Sequence, residues 1–179
     1  MPRPARARTN RIHRIRKERI VAEAAVVYAT RTGNSRALAE HIALALGTRA
    51  FRIEDRVPRS GLWGYVRAGF QASTKKASPI GDPGVDLRTA DRVVIVQPIW
   101  ASSVVPPIRT WLLAHASELV GKRIGLFTVS KGGDPELVRK AFESEFMRPD
   151  VFGHVMESDT QAVKEAACAR FAEEISGGR

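Results

Sequence analysis

Residues 26–35, Val-Val-Tyr-Ala-Thr-Arg-Thr-Gly-Asn-Ser, constrain this chain more than any other stretch. Val26 to Ala29 is a brief apolar run carrying two β-branched residues and bounded by polar ones, the pattern of a central strand buried on both faces of a parallel sheet. It leads directly into a hydroxyl-rich turn. Gly33 permits a backbone that a β-carbon would forbid, and Asn34 and Ser35 are good helix starters. Thr30, Thr32, Asn34 and Ser35 offer three hydroxyls and an amide around one small volume. The whole reads as a cradle for an anion at the positive end of a helix. Neither Gly-x-x-x-x-Gly-Lys-Ser/Thr nor a strand followed by Gly-x-Gly-x-x-Gly occurs, which argues against an NTPase and against the usual dinucleotide fold.

The 179 residues suffice for one domain with a full core. No run approaches the ~20 apolar residues needed to span a membrane. Cys168 is the single cysteine. An intramolecular disulfide and a cysteine metal cluster are thereby excluded, and a cytoplasmic, reducing setting is expected. The net charge of +10 is unevenly spread, because residues 1–22 hold seven Arg and one Lys against one Glu. The basic character therefore belongs mainly to an N-terminal arm with too little apolar surface to offset its ordering entropy. The arm reads as a solvated extension, as an electrostatic contact for nucleic acid, lipid or an acidic protein, or as a targeting segment. Nucleic acid is expected to bind only through residues 1–22, if at all.

Residues 23–179 form a single domain in which strands alternate with helices. Ser35 to Leu46 is helical, with Leu38, Ile42, Ala45 and Leu46 as its apolar face and Gly47 as its stop. Ala50 to Ile53 is a second strand, giving a strand–helix–strand unit and hence a parallel sheet. Residues 58–83 read as an insertion. There Leu62, Trp63, Val66 and Phe70 suit a short amphipathic helix packed on the sheet or a surface element touching a partner, quinone or substrate. Arg92 to Val96 is the clearest strand. Pro106 and Pro107 open a helix carrying Ile108, Trp111, Leu112 and Leu119. Arg123 to Val129 is a fourth strand. Asp134-Pro135-Glu136 starts a helix whose buried side is Leu137, Val138, Ala141 and Phe142. Val151 to Met156 is a fifth strand, and Asp159 caps a last helix with Val163, Ala167, Phe171 and Ile175 in line.

Thr-Arg-Thr-Gly-Asn-Ser (30–35), Pro-Ile-Trp-Ala-Ser (98–102) and Val-Ser-Lys-Gly-Gly (129–133) resemble the three loops of small flavodoxin-like proteins, whose phosphate loop reads Thr/Ser-x-Thr-Gly-Asn-Thr. The resemblance covers about 150 residues from Ala24 onward. It implies an open five-stranded parallel sheet of order 2-1-3-4-5 with helices on both faces. In such a sheet the ligand crevice lies beyond the carboxyl ends of the strands, where strand order reverses. The resemblance further implies FMN as cofactor and a role in electron transfer or as a small flavin-dependent oxidoreductase. The partner would then be a redox protein or a small-molecule electron donor or acceptor.

On this resemblance Thr30, Arg31, Thr32, Gly33, Asn34 and Ser35 hold the ribityl phosphate. Pro98, Ile99, Trp100, Ala101 and Ser102 flank the ring, with Trp100 either stacked on it or plugging the sheet edge. Ser130, Lys131, Gly132 and Gly133 face its pyrimidine side, Lys131 either adding a charge there or pointing to solvent. Flavodoxins often carry Gly in the second loop, where a peptide flips towards the half-reduced flavin. Ala101-Ser102 stands in its place, and weak stabilisation of that state is expected. The third loop lacks the second aromatic ring common in flavodoxins, so one ring face should be open. The alternative reading is a flavin-free binding module of the same fold that uses its basic arm on nucleic acid or an acidic protein. The lack of an acidic pair at Tyr28-Ala29-Thr30 argues against a phosphorelay receiver. Elsewhere, His41, His115 and His154 share no metal-ligand spacing, and Cys168 reads as a small buried residue rather than a nucleophile.

Overall fold

The computed structural model describes residues 24–56 and 78–177. The expectations for the arm at 1–22 and for the helix within 58–77 lie outside them. Five parallel strands form one sheet in the order β2-β1-β3-β4-β5. They are β1 (Ala24–Tyr28), β2 (Ala50–Arg52), β3 (Arg92–Pro98), β4 (Arg123–Ser130) and β5 (Val151–Met156). The helices are α1 (Asn34–Ala45), α2 (Pro106–Ala114), α3 (Ala116–Leu119), α4 (Pro135–Glu145) and α5 (Gln161–Ser176). This is the expected 2-1-3-4-5 arrangement with helices on both faces, the flavodoxin-like topology.

Each central strand is buried on both sides, so alternate residues feed two separate cores. On one face Val27, Ile95 and Leu126 pack with Ile108 and Trp111 of α2 and Phe142 of α4. On the other, Val26, Val94 and Phe127 pack with Leu38 and Ile42 of α1 and Phe171 and Ile175 of α5. Gly153 is required there, because a Cβ on it would lie 2.6 Å from Phe127 and 2.9 Å from Phe171. The two rings meet edge to face at 5.1 Å.

Backbone pairing continues past the strand ends into the loops. Ala29 N–H donates to Val96 O at 3.1 Å, Ile99 N–H to Val129 O at 3.0 Å, and Glu157 N–H to Ser130 O at 2.7 Å. The carboxyl-end loops of β1, β3, β4 and β5 are thus set in register by the sheet itself.

Several helix faces differ in detail from the sequence pattern. The buried side of α1 is Leu38, Ala39, Ile42 and Ala43, while Ala45 is exposed. The segment from Pro106 to Leu119 is interrupted at His115, whose ring lies tilted against Trp111 at 4.8 Å and meets Glu118 at 2.7 Å. Leu137 and Val163 are exposed, and the buried residues are Val138 and Phe142 in α4 and Cys168, Phe171, Ala172 and Ile175 in α5. The last helix is capped by Thr160, whereas Asp159 accepts the N–H of Met156 at 2.7 Å. Among the described residues no helix is long and apolar enough to cross a membrane.

Candidate functional site

The loops after β1, β3 and β4 enclose a cleft of about 410 Å³ at the carboxyl edge of the sheet. That size falls within the usual range for small-molecule and cofactor sites. It lies at the β1/β3 boundary, where chain direction through the sheet order reverses.

The first loop contributes Thr30, Arg31, Thr32, Asn34 and Ser35. Gly33 is the N-cap of α1, with φ at +98°. Its N–H donates to Thr30 Oγ1 at 3.0 Å and its carbonyl accepts from Ala37 N–H at 3.1 Å. Gly33 therefore shapes the cradle from behind. Ser35 is buried, and its Oγ has no hydrogen-bond partner among the described residues. A buried hydroxyl left unpaired costs about 1–3 kcal/mol. The early N–H groups of α1 have no intrahelical acceptors, and no acidic residue occupies its first turn to compete with an incoming anion. Arg36 turns away to pair with Glu40 at 2.7 Å, whereas Arg31 lines the cleft.

The second loop contributes Pro98, Ile99, Trp100 and Ala101. Trp100 is half-buried and packs against the core, which gives its indole a fixed platform. Ala101 and Ser102 have φ of 48° and 49°, and Ser103 N–H closes back on Trp100 O at 3.2 Å. Positive φ at both central residues defines a type I′ turn, a shape ordinarily filled by Asn and Gly. Strain of about 1–3 kcal/mol per residue is typical of such positions and persists only where the surroundings hold it. Ser102 lies beyond the cleft wall.

The third loop contributes Ser130 and Lys131, with Val129 beneath them. Ser130 Oγ donates to Gly133 O at 3.2 Å, tightening the loop on itself. Gly133 is not in the wall but braces the second loop: a Cβ there would sit 2.7 Å from Ile99 Cγ2. Gly132 is also outside the wall, and no atom lies within 4 Å of where its Cβ would be. The Lys131 side chain is 84% exposed and reaches Glu157 only at 4.0 Å. Lys131 thus stands at the rim of the cleft with its side chain largely in solvent.

Glu157, just after β5, also lines the cleft. It was not expected, and neither was Val129. Glu157 is held by its backbone, which donates to Ser130 O and accepts from Lys164 Nζ at 2.7 Å. On β5 itself His154 Nδ1 lies 3.0 Å from Thr128 Oγ1 of β4, and burial depresses its pKa against the opposing influences of Thr128 and Asp159. Cys168 is buried under α1, and burial above all, with Glu165, pushes its thiol up to about 11. It is held as a protonated packing residue.

No family model matches this sequence, and no curated protein matches it. Solved structures do match. A candidate flavoprotein from Bacteroides eggerthii DSM 20697 is 20% identical, with 87% of this chain and 99% of that one covered and a TM-score of 0.68. A flavoprotein in complex with FMN from Lactobacillus acidophilus NCFM is 16% identical over 74% of this chain and 93% of that one, with a TM-score of 0.65. A flavodoxin from the domain Archaea is 15% identical over 86% and 99%, with a TM-score of 0.54. At these identities the likeness is one of fold: the chain has the flavodoxin-like fold.

Proposed function

We propose that this cleft binds FMN, with the phosphate in the β1–α1 loop and the ring between the β3–α2 and β4–α4 loops, and that the protein acts in electron transfer or as a small flavin-dependent oxidoreductase. The observation that carries this reading is the buried, unpartnered hydroxyl of Ser35 in the first turn of α1, within the cleft wall. A phosphate oxygen there would accept hydrogen bonds from this hydroxyl and from the adjacent helix N–H groups, removing the cost of leaving them unpaired. Thr30 and Thr32 hydroxyls and the Asn34 amide complete the donor set, and Arg31 adds charge at the rim. Gly33, fixed by Thr30, keeps the loop backbone in the one conformation that lets these groups converge.

FMN, when bound, supplies one- and two-electron redox chemistry. The chain's own residues bind, orient and tune. Trp100 offers its face to a heteroaromatic ring, worth about 0.5–1.5 kcal/mol beyond buried area. Lys131 and Glu157 place opposite charges on the third-loop side of the cleft, and at 84% exposure Lys131 acts through water and weakly. The absence of a side chain at Gly132 leaves room for a substrate or a partner's redox group to approach one ring face. The donor and acceptor are then a redox protein or a small molecule. Residues 1–22 form a separate basic arm ahead of the 23–179 domain in this reading. The single protonated Cys168 suits a reducing cytoplasm.

The test is to add FMN in excess to the purified full-length protein, desalt it and record its spectrum. One flavin per chain is expected. A chain that emerges colourless contradicts the reading. Turnover with NAD(P)H or a quinone then separates an enzyme from a carrier.

A further inference from the structure

An ion pair outside the cleft supports one of its walls. Arg109 on α2 and Glu145 at the end of α4 meet with side chains only 5% and 11% exposed. The guanidinium also reaches the second loop: Nη2 donates to Ser103 Oγ at 3.3 Å and to Val104 O at 3.2 Å. Gln97 Oε1 accepts Val105 N–H at 3.1 Å, one residue further on. The other leg of the turn is fixed by Ile99 N–H on Val129 O. Between these two anchored legs stand Ala101 and Ser102, the non-glycine residues with positive φ among the described residues.

Buried ion pairs contribute little net stability, since apolar residues of similar volume commonly serve as well or better. The geometry of Arg109 points elsewhere. A guanidinium presents five donors in a rigid plane and can bridge acceptors that a lysine ammonium cannot hold together. Here it spans a carboxylate on one helix and two oxygens at the foot of a strained turn. A left-handed conformation at two non-glycine residues relaxes unless its surroundings over-determine it.

We propose that Arg109, oriented by Glu145, is a positioning residue for the ring-binding loop: it locks the foot of the Trp100–Ser103 turn and so sets affinity for the heteroaromatic ring without touching the phosphate cradle. This rests on the FMN reading of the cleft. Substitution of Arg109 therefore acts on one part of the ligand only.

The experiment uses the full-length chain with Arg109→Leu, Arg109→Lys, Glu145→Gln and Ser103→Ala. FMN affinity is measured by fluorescence quenching and inorganic phosphate affinity by competition. Hydrogen exchange of residues 98–104 is compared with that of residues 29–37. Arg109→Leu and Glu145→Gln should raise the FMN dissociation constant about tenfold or more. Phosphate affinity should stay within about twofold, and exchange should accelerate in 98–104 alone. Arg109→Lys should fall between wild type and Arg109→Leu. Ser103→Ala removes only the hydroxyl contact, leaves the ion pair intact and should weaken FMN by about threefold; it decides the matter if Arg109→Leu does not fold. Wild-type FMN affinity and 98–104 exchange in the folded variants would overturn the inference, as would equal losses of FMN and phosphate. A wild-type chain that takes no FMN overturns the flavin reading together with this inference, whereas FMN binding that ignores these substitutions overturns this inference alone.

Discussion

The β1–α1 and β3–α2 loops meet in one cleft and are held by opposite means. The first is built from neighbours in the chain: Gly33 supplies the left-handed backbone, Thr30 three residues earlier accepts its N–H, and the helix that follows provides the donors. The second has no glycine. Its left-handed turn at Ala101 and Ser102 is kept in place by Arg109, Gln97 and the sheet, with Arg109 in turn tied to Glu145, which lies 36 residues further along. A loop made of local chemistry can be read from ten residues. A loop held from a distance cannot, although it shapes the same site.

The sharpest way to break this comparison is to place a carboxylate in the first loop. Thr32 is exposed, so Thr32→Glu should leave the fold intact. The added charge should repel a phosphate and weaken FMN at least about a hundredfold, close to 2.7 kcal/mol. Titration with FMN and a melting curve check both halves. Next in size is Trp100→Ala. Loss of the indole should weaken FMN about tenfold to a hundredfold and leave inorganic phosphate affinity unchanged, if the two loops divide the ligand as described.

A reciprocal pair of smaller changes compares the two backbones directly. Gly33→Ala meets no steric obstacle but must hold φ at +98°, and should cost about 1–2 kcal/mol in chemical denaturation. Ala101→Gly moves the other way. It relieves the left-handed penalty and gives back part of the gain as chain entropy, for a net stabilisation of about 0.5–1 kcal/mol. Equal signs for the two substitutions would erase the distinction between the loops.

The smallest effect comes from His154, which is not among the residues of the cleft wall. Burial lowers its folded-state pKa below the ordinary 6.5. Between those two values the unfolded chain binds more protons than the folded one, so stability should fall as pH drops from about 6.5 through the lower folded value. Melting curves across that window should show the slope in the wild type, and His154→Gln should flatten it.

What the sequence discloses follows the same division. The alternation of strands and helices rests on apolar runs punctuated by Gly33, Pro106-Pro107 and Asp134-Pro135, all local signals, whereas the strand order and the meeting of the three loops were implied by the flavodoxin-like resemblance. Glu157 escaped notice because β5 has mixed burial and a carboxylate after it looks like any surface residue. Val129 belongs to strand, core and cleft at once, and its apolar character points only to the core. The strain at Ala101-Ser102 carries no compositional mark, since the residues that usually announce such a turn are missing. Arg109 and Glu145 read as ordinary charges on amphipathic helices until the fold brings them together. Leu137 and Val163 erred in the reverse direction: helical spacing proposed their burial, but the faces their helices bury carry Val138 and Phe142 in one and Cys168, Phe171, Ala172 and Ile175 in the other.

The central claim is that the β1–α1 loop grips a phosphate while the other two loops receive the ring attached to it. Calorimetric titration of the full-length protein with FMN and with riboflavin, the same ring without the phosphate, tests it most directly. One-to-one binding of FMN, at least about a hundredfold tighter than riboflavin, is predicted. Equal affinity for the two flavins, or no binding of either, would contradict it.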